Sequence, residues 1–379
     1  MRPPGRPQGA CRRAQPGGNP ESALLRLLLR SELPQGFQGR DWERLLGEAR
    51  QARLLGRLAC RMQDQGLMPQ LPPIVQQALL ASLRVLERHR HEVRHELLAV
   101  REALQALGQP VLLLKGAAYL LGELPPARGR IFSDIDLLVP EAQLAAVESA
   151  LMARGWISEE RQAYNQRYYR EWMHEIPPLR HVQRGSVLDV HHALAPRSSR
   201  FYTPGAELIE RSQPLGASGF RVLQPTDLVL HTALHLCLDG EMDHAWRDLL
   251  DLHDLLSLLP PADGATALLE RARQLRLLPV LGQTLAPLLR VLPEQPLLQA
   301  LAAGLDQATP GWSQAPPARW MCTALGLDAT DTPQRRRRAC MRLYWRAHLL
   351  RMPPRLLLPH LLRKSWMGLR ERLRPAPTP

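Results

Sequence analysis

Leucines recur at helical spacing along most of this chain, and the pattern is interrupted once, between residues 108 and 225. Apolar residues three or four positions apart line one face of a helix, and residues 74–107 show this spacing as one long helix or two. Within the interruption, short apolar runs bounded by Gly and Pro indicate strands. The pattern predicts an α+β protein in which a small mixed sheet lies between helical parts.

The composition is that of a globular protein outside the membrane. Of 379 residues, 45% are hydrophobic and 22% are charged, and no apolar run approaches the length of a membrane span. The N-terminal residues lack the apolar core of a signal peptide. The five cysteines are far apart and form no C-x-x-C pair, which is typical of reduced thiols. They are Cys11, Cys60, Cys237, Cys322 and Cys340. We therefore expect a cytoplasmic protein.

The excess positive charge lies at the two ends of the chain. The formal net charge is +13, and residues 334–375 hold 13 Arg or Lys and one Glu. The first 20 residues add four Arg and no acid, so the main body is not basic. A basic tail containing Tyr344 and Trp345 suits an anionic membrane surface, an acidic partner or an ordinary solvated helical face. Nucleic acid is not expected, whereas peripheral attachment to the inner membrane surface is consistent with this charge.

These changes of pattern and composition divide the chain into five parts. A Pro-, Gly- and Arg-rich arm with no apolar period is expected to be disordered. Residues 157–184 have no clear period and are expected to form strands and loops. The predicted parts are a disordered arm (1–20), a helical N-terminal domain (21–108), a core (109–225), a helical C-terminal domain (226–333) and a basic helical tail (334–379).

Two aspartates stand one residue apart in the segment RGRIFSDIDLLVPEAQL, residues 128–144. If the apolar run is a strand, Asp134 and Asp136 project from one face while Ile135 and Leu137 project from the other. Two like charges this close repel unless a cation, a shared proton or a basic partner compensates. The pair therefore indicates a cation site, although a solvated turn with an Asx cap would also contain this sequence.

Two further motifs carry residues suited to the same chemistry. The segment GQPVLLLKGAAYLLGEL predicts a strand, a tight turn at Lys115 and Gly116, and a helix. The segment SVLDVHHAL predicts a strand with Asp189 and His191 on one face. Carboxylates bind magnesium together with substrate phosphates, and amides at a helix N-terminus bind phosphate. Three aspartates and a glycine turn therefore point to phosphoryl chemistry.

At these motifs the chain resembles the nucleotidyltransferases of the DNA polymerase β superfamily. More narrowly, LLLKGAAYLL, R-x-x-SDIDLLV and LDVHHAL resemble a bacterial family of uncharacterised nucleotidyltransferases, with the close match over residues 109–194. The resemblance implies a nucleotidyltransferase core with Asp134, Asp136 and Asp189 as catalytic residues and ligands of Mg²⁺ or Mn²⁺. It also implies nucleotide-binding residues, which are Lys115, Gly116, Arg130 and Ser133. Ala117 stands where many superfamily members have a phosphate-binding Ser, so Lys115 is expected to supply that contact.

The function implied by this resemblance is metal-dependent transfer of a nucleoside monophosphate from an NTP, with ATP expected, to an unknown hydroxyl acceptor with release of pyrophosphate. The alternative is a non-catalytic nucleotide-binding or scaffold protein with the same fold, for example in envelope or surface-polymer biosynthesis. Fold alone does not separate these two functions.

Individual residues of this set also have structural explanations. Lys115 could be a solvated turn lysine, Arg130 could pair with Asp134 or Asp136, and Ser133 could be a loop hydroxyl. These alternatives stay open on the sequence.

The helical region after residue 225 contains a second group of polar residues. His231 and His235 are one helical turn apart, a spacing that can chelate a metal, but Thr232 occupies the place of the zincin glutamate. Satisfied or surface histidines are therefore expected. Asp248 and Asp251 flank an apolar stripe and are expected to be solvated or capping.

Overall fold

The computed structural model describes residues 23–30, 32–160, 162–328 and 330–373. The predicted disordered arm, residues 1–20, and the last six residues of the tail lie outside this part of the chain. The described residues form helices at both ends and a seven-stranded mixed sheet between them. This arrangement confirms the predicted α+β class.

Among the described residues four α-helices precede the sheet, and their leucines form a buried core. They are α1 (Ala23–Arg30), α2 (Gly39–Gln51), α3 (Leu55–Asp64) and α4 (Pro73–Leu104). The long leucine pattern forms one helix, α4, whose buried face includes Leu79, Leu86, Val93 and Val100 at spacings of seven residues. Glu96 of α4 is buried and binds Arg184 between two later strands at 2.6 Å. The N-terminal helices are therefore attached to the sheet.

The sheet has the strand order β3-β4-β5-β2-β1-β7-β6. Its strands are β1 (Leu112–Leu113), β2 (Asp134–Leu138), β3 (Trp156–Ser158), β4 (Leu179–His181), β5 (Val187–His191), β6 (Gln213–Pro214) and β7 (Arg221–Val222). The helices between them are α5 (Lys115–Leu121), α6 (Leu144–Ala153), α7 (Ala163–Trp172) and α8 (Gly205–Arg211). The pairs β2–β5 and β1–β7 are parallel, and the other pairs are antiparallel.

The parallel pair β2–β5 has a register that matters for function. Asp136 is the partner of Asp189, and Asp134 is the partner of Val187. On the opposite face of β2, Ile135 and Leu137 are buried in the hydrophobic core. The predicted division of β2 into a polar face and an apolar face is confirmed.

The expectation of strands and loops over residues 157–184 is wrong in one respect, because this region contains α7. The helix sequence, AYNQRYYREW, contains Tyr, Asn and Trp, which are weaker helix formers than Leu or Ala, and no leucine stripe. Only Asn165 and Tyr169 of α7 are buried. A helix with so narrow an apolar face leaves little periodic signal in the sequence.

Eight α-helices follow the sheet in the described part of the chain. They are α9 (Pro225–Asp239), α10 (Ala245–Leu256), α11 (Gly264–Gln274), α12 (Leu278–Val291), α13 (Pro296–Ala308), α14 (Pro316–Ala324), α15 (Pro333–Arg351) and α16 (Pro354–Leu373). The first part of the basic tail, α15, packs against α14 and α9 and buries Cys340, Leu343 and Ala347. In the described part of the chain, every helix is too short or too polar to span a bilayer.

Candidate active site

Three aspartates converge at the adjacent strands β2 and β5. Asp134 and Asp136 project from one face of β2, and the parallel register brings Asp189 of β5 beside Asp136. One carboxylate oxygen from each of the three residues lies within 4.8 Å of the other two. Asp136 and Asp189 are only 3% and 9% exposed. Three carboxylates in so small and dry a space need positive charge nearby.

Lys115 supplies part of that charge. Its Nζ lies 2.6 Å from Oδ1 of Asp136, and Nε2 of His191 lies 3.1 Å from the same oxygen. Burial alone would raise the pKa of Asp136, but the Lys115 charge and the His191 hydrogen bond outweigh it and hold that pKa well below its usual range. Burial alone would lower the pKa of Lys115, but Asp136 and its neighbours raise it. Lys115 is therefore a half-buried partner of the aspartates, not a solvated turn lysine.

Asp189 has a different electrostatic environment from Asp136. Burial, followed by the charges of Glu175 and Asp136, raises the pKa of Asp189 to about 7. No group among the described residues hydrogen-bonds to its buried Oδ1 atom. A buried carboxylate oxygen without a donor is destabilising unless a proton or a cation satisfies it. Together with the hard oxygen atoms of Asp134 and Asp136, this arrangement fits a divalent cation such as Mg²⁺ or Mn²⁺.

The turn between β1 and α5 differs in detail from the expected glycine turn. Lys115, not Gly116, has a positive φ, of 45°, a conformation that is strained for a residue with a side chain. A Cβ atom on Gly116 would lie 2.5 Å from ring carbons of Phe132. The glycine is therefore required by the close approach of an aromatic ring, while the strain at Lys115 accompanies its contact with Asp136.

Phe132 belongs to the loop between α5 and β2, and α4 holds that ring in place. The Phe132 ring packs edge-on against His89, with 4.7 Å between ring centroids, and its backbone N–H donates to His89 Nε2 at 3.4 Å. Burial lowers the pKa of His89, which keeps the imidazole neutral and able to accept this bond. Near the end of the loop, the Ser133 hydroxyl is exposed and lies 3.4 Å from Asp134 Oδ1.

Arg130, in the same loop, is bound to α10 and not to the aspartate triad. Its buried guanidinium forms ion pairs with Asp251 and, at 3.5 Å, with Asp248. Arg57 of α3 also binds Asp251, at 2.5 Å. The expectation that Asp248 and Asp251 are solvated or capping is wrong, since they are 5% and 1% exposed. The sequence-based alternative in which Arg130 pairs with Asp134 or Asp136 is wrong, because Arg130 pairs with Asp248 and Asp251.

The loop also contacts α3 through its backbone. Gly129 has a φ of 84°, and a Cβ atom there would lie 2.3 Å from the backbone nitrogen of Arg57. Gly56 faces it, and a Cβ atom on Gly56 would lie 2.6 Å from the Gly129 carbonyl oxygen. Two glycines therefore let the loop and α3 touch main chain to main chain.

This geometry agrees with what family comparison finds. A family model described as "uncharacterised nucleotidyltransferase" matches residues 38–293, more than half of the chain. The chain belongs to this nucleotidyltransferase family. Searches of the curated proteins and of the solved structures gave no significant match. The family match includes α3, α4, the whole sheet and α10, and therefore every residue of the aspartate triad and of the Arg130 ion pairs.

Two residues near the triad carry no clear signal in the sequence. His174 and Glu175 follow α7 and form, with His191, a second group whose ligand atoms lie within 4.8 Å of one another. The only sequence signal is the pair itself, in a region without a clear period. His231 and His235 belong to neither of the two metal-capable groups among the described residues. Burial, followed by the charge of Lys115, lowers the pKa of His231 to about 3, which indicates a neutral, buried histidine.

Proposed function

We propose that this chain transfers a nucleoside monophosphate from an NTP to a hydroxyl acceptor, in a reaction that requires a divalent cation and releases pyrophosphate. The observation that carries the proposal is the convergence of Asp134, Asp136 and Asp189 within 4.8 Å in a member of a nucleotidyltransferase family. Bound by these three carboxylates, Mg²⁺ or Mn²⁺ would neutralise charge on the phosphate oxygens.

Asp189 is suited to receive the proton of the acceptor. As the hydroxyl oxygen bonds to the α-phosphorus, the bond from that phosphorus to the bridging oxygen of the β-phosphate breaks. The hydroxyl proton passes to Asp189 Oδ1, and pyrophosphate leaves with the bond electrons. Among the described residues no group donates a hydrogen bond to Asp189 Oδ1, so this oxygen is free to take the proton.

Lys115 has two functions in this proposal. Its ammonium group lies 2.6 Å from Oδ1 of Asp136 and fixes the carboxylate. The second oxygen of Asp136 is then left for the cation. The same group is a fixed positive charge beside the triad, where the triphosphate would lie, and takes the place of the missing Ser hydroxyl at Ala117. Gly116 and Ser133 remain proposed nucleotide contacts. For Arg130, the contacts with α10 support a role in positioning the loop that carries Ser133 and leads into Asp134.

The test is pyrophosphate release from each NTP, with Mg²⁺, Mn²⁺ or EDTA, and with a cell extract as the source of acceptor. Asp134→Asn is the preferred variant, because Asp134 is only half-buried and its loss leaves the Lys115–Asp136 pair intact. We expect release to fall by about 100-fold or more, as when other electrostatic groups are removed from active sites. Asp306→Asn, an exposed change on α13, is the matched control.

Equal pyrophosphate release from Asp134→Asn and the unchanged protein would refute the proposed site. Calorimetric NTP binding that weakens in Lys115→Ala, with no transfer under any condition, would favour the non-catalytic alternative. Absence of both NTP binding and nucleotide transfer would contradict the enzymatic function and the nucleotide-binding function, and would leave only the scaffold role.

For the tail, we infer peripheral attachment to an anionic membrane surface on the cytoplasmic side. Leu358, Leu362 and Trp366 of α16 are all more than half exposed, and their spacing of four residues places them on one face. Arg355 lies three residues before Leu358 on the same helix, and Arg363 stacks over the Tyr164 ring of α7 at 4.1 Å. A basic helix with an exposed apolar stripe is suited to the interface of an anionic bilayer.

A further inference from the structure

A second group of metal-binding side chains lies beside the aspartate triad. His191 is two residues beyond Asp189 on β5, so both side chains project from the same face. His174 and Glu175 come from the segment between α7 and β4. One ligand atom from each of His174, Glu175 and His191 lies within 4.8 Å of the other two.

The backbone fixes this group firmly. Glu175 and His191 form an antiparallel bridge, and the N–H of Ile176 donates to the carbonyl of Val190 at 3.0 Å. The N–H of His192 donates to the carbonyl of His174 at 2.8 Å. The three side chains are therefore held on adjacent, hydrogen-bonded backbone and do not depend on a free loop.

Two ring nitrogens in the group have no hydrogen-bond partner among the residues that the structure describes. His191 is 3% exposed, and its Nδ1 lies 3.5 Å from Oε2 of Glu175 without hydrogen-bond geometry. The Nδ1 atom of His174 is likewise buried and has no hydrogen-bond partner in the described part of the chain. The two rings are 5.2 Å apart. Buried polar atoms are almost always satisfied, so two unsatisfied nitrogens beside a buried carboxylate point to a ligand.

We propose that His174, Glu175 and His191 bind a transition-metal cation such as Zn²⁺ in a site separate from the aspartate triad. Imidazole nitrogen suits Zn²⁺ and Co²⁺, whereas the all-oxygen triad suits Mg²⁺ or Mn²⁺. Two histidines and one acidic residue are a ligand set found in zinc sites that keep a fourth position open. Small side-chain rotations would bring atoms within 4.8 Å of one another onto one ion.

His191 connects the two sites. When Nδ1 binds the metal, Nε2 carries the proton and donates to Oδ1 of Asp136, 3.1 Å away. Metal-binding histidines commonly donate their second N–H to a carboxylate in this way. The second metal would therefore fix the His191 tautomer and orient Asp136, which makes His191 a positioning residue for the triad.

The rival explanation is an imidazolium without metal. Burial alone lowers the pKa of His191, but the hydrogen bond to Asp136 and the charge of Glu175 outweigh it and raise that pKa. A protonated His191 would account for the contacts of its two ring nitrogens with Asp136 and Glu175. It would leave the buried Nδ1 of His174 unexplained.

The test measures Zn²⁺ and Co²⁺ binding by the metal-stripped, full-length protein in excess Mg²⁺, without NTP. We expect one Zn²⁺ per chain that Mg²⁺ does not displace, and a Co²⁺ absorption spectrum showing nitrogen ligands. His174→Gln and Glu175→Gln should each weaken Zn²⁺ binding by more than about 100-fold, beyond the loss caused by removing an outer-shell partner. His95→Gln, on the exposed face of α4, is the matched histidine control.

Asp134→Asn should retain the Zn²⁺ site while losing Mn²⁺ bound at the triad. Circular dichroism of the metal-free variants separates loss of ligands from loss of fold. Zn²⁺ binding that is absent, fully displaced by Mg²⁺, or unchanged in folded His174→Gln and Glu175→Gln would overturn the proposal and favour the imidazolium. Since no nucleotide is present, failure of nucleotide transfer leaves this result unaffected.

Discussion

Replacing Asp251 by Asn tests whether buried charge holds the loop that leads into β2. Asp251 is 1% exposed, accepts from Arg57 at 2.5 Å and is paired with Arg130. The charged groups of the cluster are Arg57, Arg130, Arg247, Asp248, Asp251 and Asp254. Three carboxylates thus face three guanidinium groups. The substitution removes one negative charge and leaves the positive charge under-compensated.

The magnitude follows from the distances. At an effective dielectric constant of about 20, unit charges about 4 Å apart attract by about 4 kcal/mol. Removing one partner of a buried pair lowers stability by about 3–5 kcal/mol, because the other charge stays buried. Asp248 remains 3.5 Å from Arg130, and Asp254 remains bound to Arg57. We therefore expect Asp251→Asn to lower the free energy of unfolding by about 3 kcal/mol, the lower end of that range.

Urea unfolding followed by circular dichroism and tryptophan fluorescence measures this change, since Trp246 on α10 is buried close to the cluster. Asp306→Asn removes an exposed aspartate and should change stability by less than about 0.5 kcal/mol. A loss below about 1 kcal/mol for Asp251→Asn would show that the cluster is solvated and would refute the argument.

Two further predictions concern the glycine turn and the tail. Gly116→Ala would place a methyl group 2.5 Å from the Phe132 ring and should lower stability by about 1–3 kcal/mol, with recovery when Phe132→Leu is added. Thermal unfolding measures the loss and the recovery of stability. Gly47→Ala, on the open face of α2, is the control. If Phe132→Leu fails to restore stability, the contact between Gly116 and Phe132 is contradicted. The intact protein should co-sediment with anionic vesicles at low salt, more weakly as salt shortens the Debye length, and truncation after Pro353 should release it while α15 stays packed. Equal sedimentation of the two proteins would exclude α16 as the attachment.

The shared face of Asp134 and Asp136 could be predicted from the sequence because it follows from a local rule, whereas the addition of Asp189 was expected from the family resemblance and depends on the pairing of β2 with β5. Two residues at i and i+2 share a strand face, and a second strand with an aspartate mid-way needs only to pair alongside. The His174–Glu175 pair could not be predicted, because its position depends on a bridge to His191 formed across the sheet.

The same limit explains Asp248 and Asp251. Helical periodicity divides α10 into an apolar stripe and a polar remainder, and a polar remainder normally faces solvent. Here Arg57 and Arg130, which arrive from distant parts of the chain, cover that face. Likewise the sequence predicts a turn at Gly116, whereas the structure requires a glycine there because the Phe132 ring packs against it.

The main-chain contact between Gly129 and Gly56 determines how far a protein of this family can be shortened. A segment starting at residue 109 would contain the whole sheet and every aspartate of the triad, and would look complete. It would lack the helices that the loop before β2 packs against, since Gly129 lies directly on the backbone of α3. The family match begins at residue 38 and therefore includes α3 and α4. A shortened or grafted form of this protein therefore has to retain α3 and α4 as parts of the framework of the candidate site, despite their distance from Asp134 in the chain.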